Sequence, residues 1–390
     1  MPGTVPPRIV IGNDEIFDAH AGGKLSVELK APLDTRRALS IAYTPGVAQV
    51  SRAIAADHTL AARYTWANRL VAVVSDGSAV LGLGDIGPEA SLPVMEGKCA
   101  LFKAYGGLNA IPIVLDTKDP DEIVETLVRL RPTFGAVNLE DISAPRCFEI
   151  ERRVIEALDC PVMHDDQHGT AIVVLAALMG ATKLLGRDMS SLRVVVSGAG
   201  AAGIACTNLL LAMGVSDITV LDSRGILHAG RDDMNGVKVD LAGRTNPDSL
   251  TGGMVEALEG ADVFLGVSAG VVPEELIATM APDGIVFALS NPDPEIHPDV
   301  AAKHAAVVAT GRSDFPNQIN NVLAFPGVFR GALDAGARRI TENMMVAAAE
   351  AIFSVVSDDL ALDRIVPSPL DLRVGEAVAA AVAIASDTAG

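Results

Sequence analysis

A run of valines leading straight into a glycine loop constrains this chain more than any other feature. Residues 193–197 read Arg-Val-Val-Val-Ser, a short buried strand. Gly198, Ala199, Gly200, Ala201, Ala202 and Gly203 follow, and then an apolar helical run to Met213. A second strand at 217–221 ends in Asp222, nineteen positions past the last glycine. G-x-G-x-x-G alone is a weak signal. Between a strand and a helix, with an acidic residue closing the next strand, it predicts a dinucleotide site of Rossmann type. The glycines let backbone approach a pyrophosphate, and the acid meets ribose hydroxyls. Gly198 to Gly203 and Asp222 are therefore candidate cofactor ligands. The charge of Asp222 would repel a 2′-phosphate and favours NAD. Ser223 and Arg224 follow it, and Arg224 could offset that repulsion, so NADP stays open.

A second βαβ unit lies upstream. Residues 135–139 and 161–164 read as buried strands, and Phe148, Ile150, Val154, Ile155 and Leu158 line one face of a helix between them. The strands should be parallel, and about 4.8 Å apart if they are neighbours. Each ends in an acidic pair, Glu140-Asp141 and Asp165-Asp166, at the carboxyl edge where ligands bind in open α/β sheets. Four carboxylates gathered there need a counter-charge, and a hard divalent cation such as Mg²⁺ or Mn²⁺ supplies one. The competing reading is two unrelated helix caps.

Length and composition bound the rest. A chain of 390 residues predicts two or three domains. Hydrophobic residues make up 49% and aromatics 4%, so the core is packed with Ala, Val and Leu. A net charge of −19 argues against nucleic acid as a partner. Cys99, Cys147, Cys160 and Cys206 lack metal spacing and read as reduced core residues of a cytoplasmic protein. The longest apolar run, 171–180, is too short to cross a bilayer, and no membrane association is expected.

The fold class expected is α/β: a Rossmann-type, doubly wound parallel sheet preceded by a smaller α/β domain. Residues 1–35 read as an arm, 36–168 as the smaller domain, 169–335 as the dinucleotide domain, and 336–390 as Ala-rich helices packing back on the core. In the smaller domain, strands are predicted at 70–75, 80–83 and 111–115, and helices at 99–105 and 120–131. Lys98 falls in the first turn of the 99–105 helix, where the helix dipole disfavours a cation. That suits a lysine of lowered pKa, although a surface lysine fits equally. Tyr43, just before a Pro-Gly turn, reads either as a core aromatic or as a functional phenol. In the dinucleotide domain, later strands are predicted at 261–267, 284–289 and 307–309, with helices at 253–259, 273–281 and 299–304. Asn291 and Asn321 lie in loops, where asparagine commonly forms turns.

As a set, these blocks resemble the malic enzymes, most closely the short bacterial form. The matching motifs are Tyr43-Thr-Pro-Gly-Val-Ala, Leu81-Gly-Leu-Gly-Asp-Ile-Gly, Glu96-Gly-Lys98, Asn138-Leu-Glu140-Asp141, His164-Asp165-Asp166-Gln-His-Gly-Thr-Ala, the glycine loop, Ala288-Leu-Ser-Asn291-Pro and Asn320-Asn321-Val. They occur in the family's order from about residue 40 to 330. The resemblance implies oxidative decarboxylation of (S)-malate to pyruvate and CO₂ with NAD(P)⁺ and Mg²⁺ or Mn²⁺, in a homodimer. It implies Glu140, Asp141 and Asp166 as metal ligands, Lys98 as general base, Tyr43 as general acid and Asp165 as support for Lys98. Asn291 and Asn321 would hold the substrate and border the nicotinamide. One departure stands out: longer members carry an arginine that grips malate where Ala79 lies here. Two other functions are weighed. A malolactic enzyme would keep the reduced nucleotide and return the hydride to give lactate. A catalytically silent nucleotide-sensing subunit would not need Lys98, Tyr43 and the acids together.

Overall fold

Parallel pairing of apolar strands builds two sheets in the computed structural model, which describes residues 11–80 and 82–387. Residues 1–10 of the predicted arm, Leu81 and residues 388–390 lie outside the described residues.

The first sheet holds β1 (Leu70–Ser75), β2 (Asn109–Val114), β3 (Ala136–Leu139) and β4 (Val162–His164) in the order β2-β1-β3-β4, all parallel. Every residue of β1, β3 and β4 is buried, as a sheet covered on both faces requires. Before it come four short helices, α1 (Asn13–His20), α2 (Arg36–Ala42), α3 (Val47–Ala56) and α4 (Ala61–Tyr64), none of which buries a residue. Crossovers are made by α5 (Pro88–Gly106), α6 (Pro120–Leu130) and α7 (Arg146–Ala157). Of the strand predicted at 80–83, Val80 only bridges Gly84, and Gly82 and Leu83 lie in a turn. The helix predicted from 99 starts instead at Pro88, because proline is well suited to a first helical position. Pro93 and Gly97 inside α5 hid that length from a reading of breakers.

The second sheet runs β10-β9-β8-β5-β6-β7. Its strands are β5 (Arg193–Ser197), β6 (Asp217–Asp222), β7 (Gly225–Ile226), β8 (Val263–Gly266), β9 (Gly284–Ala288) and β10 (Ala305–Thr310), with β7 alone antiparallel. From β5 the chain winds first toward β6 and then back toward β8. The switch point therefore lies between β5 and β8, the expected ligand crevice of an open α/β sheet.

Joining the two is α8 (Asp165–Leu185), 21 residues long and begun by two aspartates that suit its dipole. By length and composition α8 alone among the described helices qualifies as a membrane span, yet it is mostly buried as a core helix. The remaining helices are α9 (Ala201–Ala212), α10 (Gly236–Ala242), α11 (Met254–Leu258), α12 (Glu274–Ile277), α13 (Pro298–Ala301), α14 (Phe325–Asp334), α15 (Glu342–Val356) and α16 (Arg373–Asp387). α15 packs on α8 and α16, and α16 on α14. One hydrophobic core takes in Val71 and Val73 of the first sheet, α8, and Val194 and Val196 of the second.

Phe102 of α5 closes that core against α14. Its ring lies 4.7 Å from that of Phe325 and 5.4 Å from that of Phe329, both edge-on. Phe102→Ala should lower the unfolding free energy by about 3–5 kcal/mol. The loss should appear as a reduced urea midpoint by circular dichroism.

Candidate active site

Strand register brings the acidic pairs together. Leu139 pairs with His164, so Glu140 and Asp165 are the first residues past adjacent strands. Glu140 N donates to Val74 O at 2.9 Å, which ties the loop to the end of β1. Asp141 adopts the left-handed region at φ 54, unusual for a residue with a side chain, and its N–H donates to Asp166 Oδ2 at 2.8 Å. Glu140 Oε2 accepts from Asn138 Nδ2 at 2.8 Å.

Lys98 enters from α5, mid-helix and not in the first turn, so the helix dipole plays no part in its state. It is 7% exposed. Its Nζ lies 2.5 Å from Asp165 Oδ2 and 2.8 Å from Glu140 Oε1, and 4.3 Å from the centroid of the Phe325 ring. Burial favours the neutral amine, but Asp165, Glu140 and Asp166 outweigh it and hold Lys98 well above its usual range. One ammonium facing four carboxylates cannot keep them all ionised. Burial, then Asp166 and Glu140, push Asp141 up to about 9. Burial raises Glu140 despite Lys98, and raises Asp165 to about 6.

These residues fit a hard divalent cation. Glu140, Asp141 and Asp166 each offer a carboxylate oxygen, and those atoms lie within 4.8 Å of one another. Asp141 Oδ2 is buried without a hydrogen-bond partner, as an oxygen reserved for an ion would be. An all-carboxylate set suits Mg²⁺ or Mn²⁺.

Asn321 reaches the same cluster from the second domain, its Nδ2 donating to Asp165 Oδ2. Asn291 lies where the loop after β9 meets Gly82: a Cβ on Gly82 would fall 2.9 Å from Pro292 Cδ and 3.3 Å from Asn291 O. Tyr43 is not brought in. It ends α2, is 67% exposed, and its hydroxyl forms no hydrogen bond among the described residues. Ala79, where longer malic enzymes carry arginine, donates its N–H to Asp141 O at 2.9 Å.

The glycine loop leads from β5 into α9 at the switch point. A Cβ on Gly203 would fall 1.7 Å from Gly198 O, so only glycine lets α9 pack this close. The first turn of α9 then presents N–H groups suited to a pyrophosphate. Gly198 N donates to Leu221 O at 2.9 Å, which sets Asp222 beside the loop.

Three contributors escaped the sequence analysis. Arg146 Nη2 binds Asp76 Oδ2 at 2.9 Å and Ser78 Oγ at 3.0 Å, tying the turn after β1 to the loop that carries Asp141. Glu151 of α7, nearly buried, accepts from His164 N at 2.7 Å and Gln167 Nε2 at 3.0 Å, and holds the start of α8 from behind. Glu295 takes the N–H groups of Ser268 and Ser290 at 3.1 Å each, clamping the loops after β8 and β9. Only the buried face of the helix carrying Glu151 hinted at any of these, because the partners are distant in the chain.

Fold and site together define an α/β dinucleotide-binding protein with a carboxylate-and-lysine centre at the sheet edges. The malic enzyme N-terminal domain family matches residues 22–155, and the malic enzyme NAD-binding domain family matches 167–387. The chain belongs to the malic enzyme family. It is 53% identical to an NAD-dependent malic enzyme of Geobacillus stearothermophilus, over 98% of this chain and 80% of that one. It is 54% identical to a bifunctional malic/malolactic enzyme of Bacillus subtilis, over 97% and 93%. The solved NAD-dependent malic enzyme of Thermotoga maritima superposes with a TM-score of 0.91 at 45% identity, covering 96% of this chain and 99% of that one.

Proposed function

We propose that this site oxidatively decarboxylates (S)-malate to pyruvate and CO₂ with reduction of NAD(P)⁺, and that Lys98 is its base. The observation that carries the reading is the Lys98 amine lodged between Asp165 and Glu140 at the mouth of a buried carboxylate cluster. Glu140, Asp141 and Asp166 would hold Mg²⁺ or Mn²⁺, which would supply Lewis acidity to the substrate, and the glycine loop would hold the nicotinamide dinucleotide, which would supply the hydride acceptor.

The chain's own residues handle the protons. Lys98 takes the proton of the C2 hydroxyl. As the neutral amine at pH 7–8 it needs a pKa roughly 2–3 units below 10.4, about 3–4 kcal/mol of environment. The carboxylates around it oppose that shift while ionised, so Lys98 becomes a base as they are neutralised. Asp165, gripped by Lys98 and Asn321, fixes where the amine points. Loss of CO₂ leaves an enolate that needs a proton at C3, and the phenol of Tyr43 is the donor.

Tyr43 gains access to the site in a homodimer. Ile16, Phe17, Ile41, Tyr43, Tyr64 and Trp66 are each exposed, on or directly after helices that bury nothing of their own. A second copy covering these side chains would supply Tyr43 across the interface. Four buried thiols without a disulfide suit a cytoplasmic protein.

With malate, Mn²⁺ and oxidised nucleotide, wild-type protein should release reduced nucleotide and pyruvate in equal amounts. Lactate without free reduced nucleotide would instead identify malolactic turnover. Asp141→Ala should abolish both turnover and the saturable Mn²⁺ binding of the wild type, the latter followed by electron paramagnetic resonance. Undiminished Mn²⁺ binding would remove Asp141 from the site.

A further inference from the structure

At the nucleotide end of the second sheet, Asp222 is not free to do what its position suggests. An acidic residue closing this strand ordinarily accepts the ribose hydroxyls. Here Oδ1 accepts from Arg224 N and from Arg231 Nη1, both at 2.9 Å. Oδ2 accepts from Arg231 Nη2 at 3.1 Å and from Lys238 Nζ at 2.7 Å. A carboxylate offers about four lone-pair directions, and four donors already fill them. Burial works against the charge, but Arg231, Lys238 and the Arg224 amide pull Asp222 down to about 2, so it stays an anion committed to its cations.

The cations form a network. Arg231 donates from Nε at 2.8 Å and Nη2 at 2.9 Å to Asp233, and Arg224 Nη1 reaches Asp233 at 2.7 Å. Three cations meet two carboxylates, which leaves one positive charge uncompensated within the cluster. Arg224 holds the exposed edge, its side chain 68% accessible. The cluster stands beside the glycine loop, through the Gly198–Leu221 hydrogen bond.

We infer that Arg224 and Lys238 receive the 2′-phosphate of NADP⁺, with Asp222 as the positioning residue that aims Lys238 and with Arg231, whose five N–H groups are already given to Asp222, Asp233 and the Gly225 and Ile226 carbonyls, as the brace between the two carboxylates. Arginine and lysine at this strand end are the chemistry by which dinucleotide folds accept that phosphate. The alternative is a purely structural lock that staples the β6–β7 turn to residues 231–238. The inference rests on the proposal that the glycine loop binds a nicotinamide dinucleotide, but it can be tested without turnover.

Calorimetric titration with adenosine 2′,5′-bisphosphate and with ADP, without malate or metal, separates the two. Wild-type protein should bind the bisphosphate at least about 10-fold more tightly than ADP. Arg224→Ala and Lys238→Ala should each weaken the bisphosphate about 10-fold and ADP less than about 3-fold. Asp222→Asn should reduce the preference by loosening Lys238. The inference is overturned if ADP binds as tightly as the bisphosphate, or if both truncations weaken the two ligands equally, as a structural lock would. Arg224 is exposed, so its truncation stays interpretable should Lys238→Ala fail to fold. If the preference is absent while malate still reduces NAD⁺, the fault lies with this inference and not with the proposed reaction.

Discussion

Lys98→Ala loses about 10²- to 10⁴-fold in kcat, the range a positioned general base contributes. The change should fall on kcat and spare the KM for nucleotide, because Lys98 lies at the carboxylate cluster and not at the glycine loop. A stability loss of about 3–5 kcal/mol is also expected when Asp165 and Glu140 stay buried without their cation. Circular dichroism and ADP binding would show whether the variant still folds. Lys98→Arg keeps the charge but cannot become a neutral base, so it should be as inactive while remaining the more stable of the two. Near-full turnover in either variant would remove Lys98 from its role.

Gly169→Ala is the second large effect. A Cβ there would stand 1.8 Å from Asp165 Oδ1 and 2.8 Å from its Cγ. Asp165 has nowhere to yield, since Lys98 and Asn321 grip its other oxygen. The carboxylate must rotate away and take the Lys98 amine out of place, and misplacement of about 1 Å can cost 10²-fold in rate. The clash and the disturbed buried pair should also lower thermal stability, offset only in part by alanine's advantage over glycine of about 1 kcal/mol in a helix interior, so the activity is compared per folded molecule. Activity retained within a factor of three would mean that Asp165 does not hold the base.

What could be read along the chain was whatever local sequence determines. The glycine loop, its flanking strands and Asp222 sit within thirty consecutive positions, and the structure puts them at one switch point. The acidic pairs were legible because strand ends are adjacent in parallel sheets, and the register of Leu139 with His164 sets them side by side. Elements that depend on distant partners were not. Lys98 meets Asp165 across 67 residues; nothing near Lys98 signals that encounter, and only the family resemblance paired the two. The start of α5 was missed because Pro93 and Gly97 count as breakers locally, while packing against Phe325 and Phe329 overrides them. The commitment of Asp222 to Arg231 and Lys238 likewise lies beyond its own strand.

The helix that starts with Asp165 and Asp166 contributes side chains to a core shared by both sheets, and it ends against the C-terminal bundle. The family boundary falls at its beginning, between residues 155 and 167. A gene severed there would give neither fragment a complete interior: one would lose the wall against which Val71 and Val73 pack, and the other would expose a long oily rod to water. The two halves are therefore not interchangeable cassettes, and recombination between relatives should succeed only where both sides of this shared rod come from the same parent.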